Sequence, residues 1–187
     1  EEEEEEDEID EEQLDEYREM VDNLGDFPDK VKISSLSMMA EDFSDSKQGA
    51  KMIYNIIRER LMNSSTREKQ LLPLIYLLDS IVKNAKGHFI PIVEGDAHVW
   101  ISHAWNQLRN AEPLKLKLQK VWKTWNDGKI FDAQQLKVMG QCFDAANKNN
   151  QTQSIPSTEV AGISRTVCVN TMRLKYNRAE HGFEKKK

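Results

Sequence analysis

The feature that most constrains the fold is a series of apolar residues at helical spacing that runs from Glu11 to Ala146. Apolar side chains recur every three or four residues in successive segments, and no segment alternates with a period of two for long enough to form a strand. Connections of roughly three to eight residues force neighbouring helices to pack against each other. The sequence therefore predicts an all-α domain, a layered bundle or a superhelix of about seven to eight helices.

Local signals mark the ends of these helices. Serines of the SDS segment at 44–46 can cap the third helix, Ser65 and Glu68 match a capping box for the fourth, and Asp132 can cap the last. Pro73 is expected either to kink the fourth helix or to mark its first turn. Glycine suits three predicted helix C-termini: Gly25, Gly87 and Gly128.

Charge divides the chain into three parts. Residues 1–16 carry 13 acidic and no basic side chains, and the rest carries 26 basic and 19 acidic ones, a net charge of +7. We expect residues 1–10 to be a disordered acidic tail, 11–146 to form the domain and 147–187 to be a polar, basic tail or linker. The absence of an initial methionine suggests a segment of a longer protein. A mildly basic domain favours an anionic partner.

The pattern argues against an enzyme, a metal site or a cofactor. His98 and His103 are five residues apart, which is not the spacing of a helical zinc site, and no phosphate-binding loop or nucleophile motif occurs. Cys142 is expected to be a buried core thiol. No apolar run is long enough to span a membrane, and two cysteines favour a reducing cytosolic or nuclear compartment. A binding module remains the best interpretation.

The fourth helix carries the first candidate site. From Leu71 to Val82 most residues form one broad apolar arc, with Leu72 as the one apolar residue outside it. The opposite arc is polar and must face water, a partner or an internal network. An ordinary solvent-exposed face with an Asp79–Lys83 ion pair would explain the polar arc equally well. Tyr76 could instead be a core aromatic residue. The polar arc consists of Tyr76, Asp79, Ser80, Lys83 and Asn84.

Lysines on the sixth predicted helix form the second candidate. They could offer donors to phosphate or carboxylate from the face opposite Trp122 and Trp125, although outward lysines usually serve only solubility. The series is Lys115, Lys117, Lys120 and Lys123.

The segment LIYLLDSIVKNAKGHFI, residues 74–90, closely resembles the signature helix of CTD-interacting domains (CIDs). KISSLSMMAED and LQKVWKTWNDGKIF are similar to other stretches of that family, so the resemblance covers residues 11–146. Its nearest branch is the scaffold subunit of the pre-mRNA cleavage and polyadenylation machinery. The resemblance implies a right-handed helical superhelix that binds the phosphorylated C-terminal heptad repeat YSPTSPS of RNA polymerase II. It also implies a nuclear protein, with RNA and other 3′-end processing factors as further candidate partners and no membrane.

The resemblance also implies roles for individual residues. Asp79 matches the aspartate that accepts a hydrogen bond from the heptad tyrosine, with Tyr76, Lys83 and Asn84 on the same arc. Lys120 falls where several members place the arginine that holds the phosphate of the second-position serine, with Lys117 one turn earlier. Lys30 matches a basic residue at the other end of the peptide site. Lysine in place of this arginine at position 120 predicts a weaker preference for phosphorylated over unphosphorylated repeats. Val31 stands where many members have a proline.

Two alternatives remain open at this point. A VHS- or ENTH-type endocytic domain has a similar superhelix and could bind sorting signals or lipid headgroups, but anionic lipid would repel the acidic residues that precede the domain. An RNA-binding helical domain could use the same lysines. That function would gain from exposed aromatic side chains, whereas Trp122 and Trp125 lie on the apolar face.

Overall fold

A computed structural model describes the backbone of residues 11–150 and the side chains of residues 11–144. The predicted acidic tail 1–10 and residues 151–187 of the predicted basic tail lie outside this part. The all-α prediction is confirmed, since residues 11–150 form helices and short connections without a strand. The helices are α1 (Glu11–Asp22), α2 (Lys30–Glu41), α3 (Lys47–Met62), α4 (Glu68–Asn84), α5 (Phe89–Gln107), α6 (Glu112–Gly128) and α7 (Ala133–Asn150), with a 3-10 turn at Leu108–Asn110.

The helices form two layers because each packs on the helix two places along the chain. One layer contains α2, α4 and α6, and the other contains α1, α3, α5 and α7. The apolar arcs predicted from the sequence meet in one core between the layers, whose largest fully buried side chains are Trp100, Trp125, Tyr17, Phe89 and Phe143. In the described part of the chain, no helix is both long and apolar enough to cross a membrane.

Contacts at both ends show that α2 and α4 run in the same direction. Before α2, Asp26 accepts a hydrogen bond from the guanidinium of Arg67 at the start of α4 (Nη2–Oδ1 2.8 Å). After α4, the backbone N–H of His88 donates to the carbonyl of Ser44, beyond the end of α2 (3.0 Å). The whole of α2 therefore runs alongside α4, the helix that carries the polar arc.

The local capping signals are confirmed at two of three helices. Ser46 accepts a hydrogen bond from the Gly49 N–H (3.0 Å), and Asp132 accepts one from the Gln134 N–H (2.8 Å). The prediction of a Ser65–Glu68 capping box is wrong. The Ser65 N–H instead donates to the side chain of Asn63 in a turn (2.9 Å), so α4 begins later. There the Arg67 N–H donates to Oε1 of Gln70 (3.0 Å), with Pro73 inside the helix.

A part-buried ion pair joins α3 to α5. The Arg58 guanidinium donates to both carboxylate oxygens of Asp96, and the Tyr54 hydroxyl donates to Oδ2 (3.0 Å). Burial by itself raises the pKa of Asp96, but the hydrogen bonds from Arg58 and Tyr54 and the Arg58 charge outweigh burial and hold that pKa below its usual value. The ionised form of Asp96 therefore stabilises the folded state.

We expect this pair to make stability depend on pH. Because the folded-state pKa of Asp96 is depressed, its contribution is present above the unfolded-state pKa of about 3.9 and is lost as pH falls through the folded value. The urea midpoint of Asp96→Asn should lie below wild type at pH 7, and the difference should shrink by pH 3. Glu59→Gln, at an exposed position of α3, is the control. A constant difference for Asp96→Asn across this range would contradict the assignment.

Candidate functional site

The polar arc of α4 forms an open stripe on the surface of the three-helix layer. The polar stripe, as we call Tyr76, Asp79, Ser80, Lys83 and Asn84, is exposed or partly exposed, whereas the rest of α4 from Leu71 to Val82 is buried. Leu72, predicted to interrupt the polar arc, is 2% exposed and belongs to the buried part. Since α4 is the middle helix of its layer, α2 borders one side of the stripe and α6 the other.

Asp79 is the most constrained residue of the stripe. Its Oδ1 accepts a hydrogen bond from the Trp125 indole (Nε1–Oδ1 2.7 Å) and forms an ion pair with the Lys83 ammonium (Nζ–Oδ1 2.6 Å). The side chain is 21% exposed, and within residues 11–144 no hydrogen bond reaches Oδ2. The sequence pattern did not indicate this bond to Trp125, although a buried tryptophan usually needs an acceptor for its N–H. The contacts of Oδ1 therefore fix the orientation of the Asp79 carboxylate and leave Oδ2 without a hydrogen bond from the described residues.

Thr124 identifies the side of α6 that faces the polar stripe. Lys83 donates to the Thr124 hydroxyl (3.2 Å), which itself donates to the carbonyl of Val121 (2.8 Å). Lys117 and Lys120 precede Thr124 by seven and four residues, so they lie on the same side of α6, and both are exposed. Lys123 is rotated away from Thr124 by about 100°. The structure thus brings Lys117 and Lys120, but not Lys123, towards the polar stripe.

Lys115 does not belong to the outward lysine series. Its side chain is only 8% exposed, and its ammonium lies over the Trp105 ring, 4.9 Å from the centroid. The prediction that Lys115 faces solvent is therefore wrong. Its position three residues before the buried Leu118 places it on the packed side of α6, where the aliphatic stem is buried and the ring face stabilises the charge.

Lys30 lies at the opposite end of the stripe from Asn84. It is the exposed first residue of α2, and the parallel course of α2 and α4 places it beside the start of α4. At 1.5 Å per residue, Lys30 and Asn84 are about 20 Å apart along the helix axes. The N–H of Val31, which proline would lack, donates to the Asp29 cap (2.8 Å). This bond forms the start of α2 without the proline that many family members have.

Tyr76 and Asn84 add neutral polar groups to the stripe. Partial burial, and then the nearby charge of Asp79, raise the pKa of Tyr76, so its hydroxyl stays protonated at neutral pH. Tyr76 packs partly against the core, in agreement with the alternative that it is in part a core aromatic residue. The Asn84 amide donates to the Ser80 hydroxyl (3.0 Å). Both residues keep polar atoms available beside Asp79.

The metal-ligating and nucleophilic side chains of the described residues can be compared with the sequence predictions for them. No group of three or more histidine, cysteine or acidic side chains in this part of the chain could hold a metal ion. Cys142 is only partly buried, rather than a full core thiol, and its sulfur lies 3.6 Å from the carbonyl of His98. Burial raises the pKa of the Cys142 thiol, which disfavours a reactive thiolate.

Comparison with known proteins identifies the family. A family model described as the CID domain matches residues 15–139. The chain belongs to the CID family. The matched region lies within the predicted domain 11–146 and contains α2, α4 and α6 with the polar stripe. No curated protein matches this CID.

A solved structure supports the same fold for this CID. A chain described as the crystal structure of the RPR of Pcf11 superposes with a TM-score of 0.62 and 19% sequence identity. The match covers 71% of this chain and 98% of that chain. Family membership assigns a general role as a helical module that interacts with the C-terminal domain of RNA polymerase II. Such modules act by binding rather than by catalysis.

Proposed function

We propose that this CID binds a phosphorylated heptad repeat of the polymerase C-terminal domain along the polar stripe. The binding couples transcription to pre-mRNA 3′-end processing or termination in the nucleus. The observation that carries the proposal is the fixed carboxylate of Asp79, whose Oδ2 lacks a donor among the described residues and lies between α2 and the lysines of α6.

The polar stripe matches the chemistry of the heptad. A tyrosine hydroxyl of the repeat donates to Oδ2 of Asp79, because Oδ1 is already engaged by Trp125 and Lys83. Tyr76 and Asn84 supply further hydrogen-bonding groups to peptide backbone and serine hydroxyls. The family resemblance implies a repeat folded into a β-turn, which is shorter than the roughly 25 Å of seven fully extended residues, so one repeat lies within the stripe between Lys30 and Asn84.

Lys117 and Lys120 provide the charge that a phosphate needs. Both are exposed on the side of α6 that faces the stripe, and each ammonium acts as a point charge rather than as a planar two-donor fork. One charge-assisted contact contributes about 1.5 to 3 kcal/mol, and ordering a flexible peptide offsets much of that gain. We therefore expect micromolar or weaker binding of the repeat phosphorylated at its second position.

The test is the response of phosphopeptide binding to Lys120. Lys120→Ala should weaken binding of the phosphorylated repeat about tenfold, towards the affinity of the unmodified repeat, which should hardly change. Lys120→Arg should keep or improve the preference for phosphate because guanidinium offers two parallel donors. Fluorescence anisotropy with repeats phosphorylated singly at the second, fifth or seventh position measures both effects and defines the preferred site.

Lys123→Ala is the matched control because Lys123 lies on the same helix but points away from the stripe. Equal losses at Lys117, Lys120 and Lys123, repeated with a short RNA, would indicate a general polyanion-binding surface instead. The structure does not favour RNA as the main ligand, since the Trp122 indole is bonded to the Leu136 carbonyl (3.1 Å) and Trp125 is buried. RNA and other 3′-end processing factors remain additional partners to test in the same assay.

A further inference from the structure

Thr124 of α6 contacts the ion pair that Asp79 and Lys83 form on α4. Its hydroxyl oxygen accepts a hydrogen bond from the Lys83 ammonium (Nζ–Oγ1 3.2 Å), and its hydroxyl proton is donated to the carbonyl of Val121 (2.8 Å). Because the proton is already engaged, the oxygen faces Lys83 as an acceptor. Lys83 also lies 2.6 Å from Oδ1 of Asp79 (Nζ–Oδ1). The ammonium is therefore held between one group of α4 and one group of α6.

Both groups that contact Oδ1 of Asp79 depend on α6. Trp125 donates its indole N–H to this oxygen directly (2.7 Å), and Thr124, the residue before it, contacts Lys83. Within residues 11–144 no hydrogen bond reaches the other oxygen, Oδ2. Two consecutive residues of α6 thus direct both contacts to the same carboxylate oxygen.

The ion pair alone does not select one oxygen of Asp79. Asp79 and Lys83 are four residues apart on α4, so they can pair without any other helix. The ammonium is a point charge on a flexible stem, and both oxygens of an ionised carboxylate accept hydrogen bonds. The contact with Thr124 is the second point that fixes the ammonium. Without that hydroxyl, the ammonium can move onto Oδ2.

We propose that Thr124 is a positioning residue whose hydroxyl keeps the Lys83 ammonium on Oδ1, so that Oδ2 stays available to a hydroxyl group of the peptide. This inference rests on the proposed function and deepens it. It assigns the preference for a tyrosine hydroxyl over a bare aromatic ring to a residue that acts through Lys83. A phenylalanine ring cannot donate to Oδ2, so the preference for tyrosine over phenylalanine measures the availability of this oxygen.

The experiment compares a singly phosphorylated repeat with the same peptide carrying phenylalanine in place of tyrosine. For the wild-type domain, the tyrosine peptide should bind about five- to tenfold more tightly. Thr124→Val keeps the shape of the side chain without its hydroxyl. In this variant the preference should fall to about twofold or less, because only the tyrosine peptide binds more weakly. Thr124→Ser keeps the hydroxyl and should keep the wild-type preference.

A second pair of variants tests whether Thr124 acts through Lys83. In a Lys83→Met background no ammonium can cover Oδ2, so the addition of Thr124→Val should leave the preference for tyrosine unchanged. Asn126→Val is the matched control, because it introduces the same side chain at another exposed position of α6. This control should bind both peptides as the wild type does. Circular dichroism verifies that each variant is folded.

Crystal structures of the wild type and of the two Thr124 variants without peptide test the placement of Lys83 directly. The ammonium should contact Oδ1 alone in the wild type and in Thr124→Ser, and should reach Oδ2 in Thr124→Val. These structures decide whether Thr124 positions Lys83 even if no peptide binds. An ammonium that stays on Oδ1 in Thr124→Val would overturn the proposal.

The binding data separate this inference from the proposed function. If no repeat peptide binds, the proposed function is wrong, and if the wild type does not distinguish tyrosine from phenylalanine, the proposed contact of tyrosine with Oδ2 is wrong. If the wild type prefers tyrosine but Thr124→Val keeps the full preference, the role of Thr124 is overturned. Equal losses in Thr124→Ser or Asn126→Val, or a further loss in the Lys83→Met background, would likewise overturn it.

Discussion

Gly87→Ala is expected to lower the free energy of unfolding by about 2 to 5 kcal/mol, because it combines a backbone clash with an unfavourable backbone conformation. A Cβ built at Gly87 lies 2.3 Å from the Ser44 carbonyl oxygen, which is backbone and cannot rotate away. The residue also has φ +44°, a left-handed conformation that alanine disfavours. Relief of the clash would break the bond from the His88 N–H to Ser44 and separate the ends of α2 and α4.

Two other glycines serve as controls in the same urea-unfolding experiment. Gly25 also has positive φ (+75°) but has no heavy atom within 4 Å of an added Cβ, so Gly25→Ala should show only the conformational cost of about 1 to 2 kcal/mol. Gly95→Ala, in the open middle of α5, should stabilise by about 0.5 to 1 kcal/mol. Equal losses at Gly87 and Gly25 would show that the contact with Ser44 does not matter.

Asp79→Ala is expected to reduce both stability and peptide binding. It leaves the buried Trp125 indole N–H without its acceptor, which costs about 1 to 3 kcal/mol of folding free energy. It also removes the oxygen proposed to accept the heptad tyrosine hydroxyl, so the phosphorylated repeat should bind at least about tenfold more weakly. Thermal unfolding and anisotropy titration of the same preparation measure the two losses.

Asp79→Asn separates the two roles. The asparagine Oδ1 can still accept from Trp125, whereas its amide nitrogen replaces the acceptor Oδ2, so affinity should fall with little change in melting temperature. An asparagine variant that binds the repeat normally but melts several degrees lower would show that Asp79 serves only the internal network with Trp125 and Lys83.

For α4, the sequence predicted which side of the helix is buried but not all of its contacts. Helical periodicity correctly separated the buried side of α4 from the side that carries Tyr76, Asp79 and Asn84, because this separation depends only on the 3.6-residue period. The motif in residues 74–90 correctly indicated the CID family. The pattern did not indicate that Asp79 is shared between a possible ligand and Trp125, because the two residues are 46 positions apart and meet only when α6 packs on α4.

The sequence predicted the wrong surroundings for Lys115 and Leu72. Residue type and position on a helical wheel predicted that Lys115 faces solvent and that Leu72 lies among polar side chains, yet both residues are buried. Their burial depends on which neighbouring helix covers each flank, here α5 with Trp105 in the case of Lys115. A wheel drawn for one helix contains no information about its neighbours.

The amino-acid sequence by itself determined the helical elements, their apolar sides and the family, since these follow from local spacing and a short motif. Tertiary structure alone decided that α2, α4 and α6 share one layer, and therefore that Lys30, Asp79 and Lys120 border one surface. The reason is physical: the distance between side chains on different helices depends on the order and direction in which the helices pack, which burial of the whole core selects and no single segment encodes.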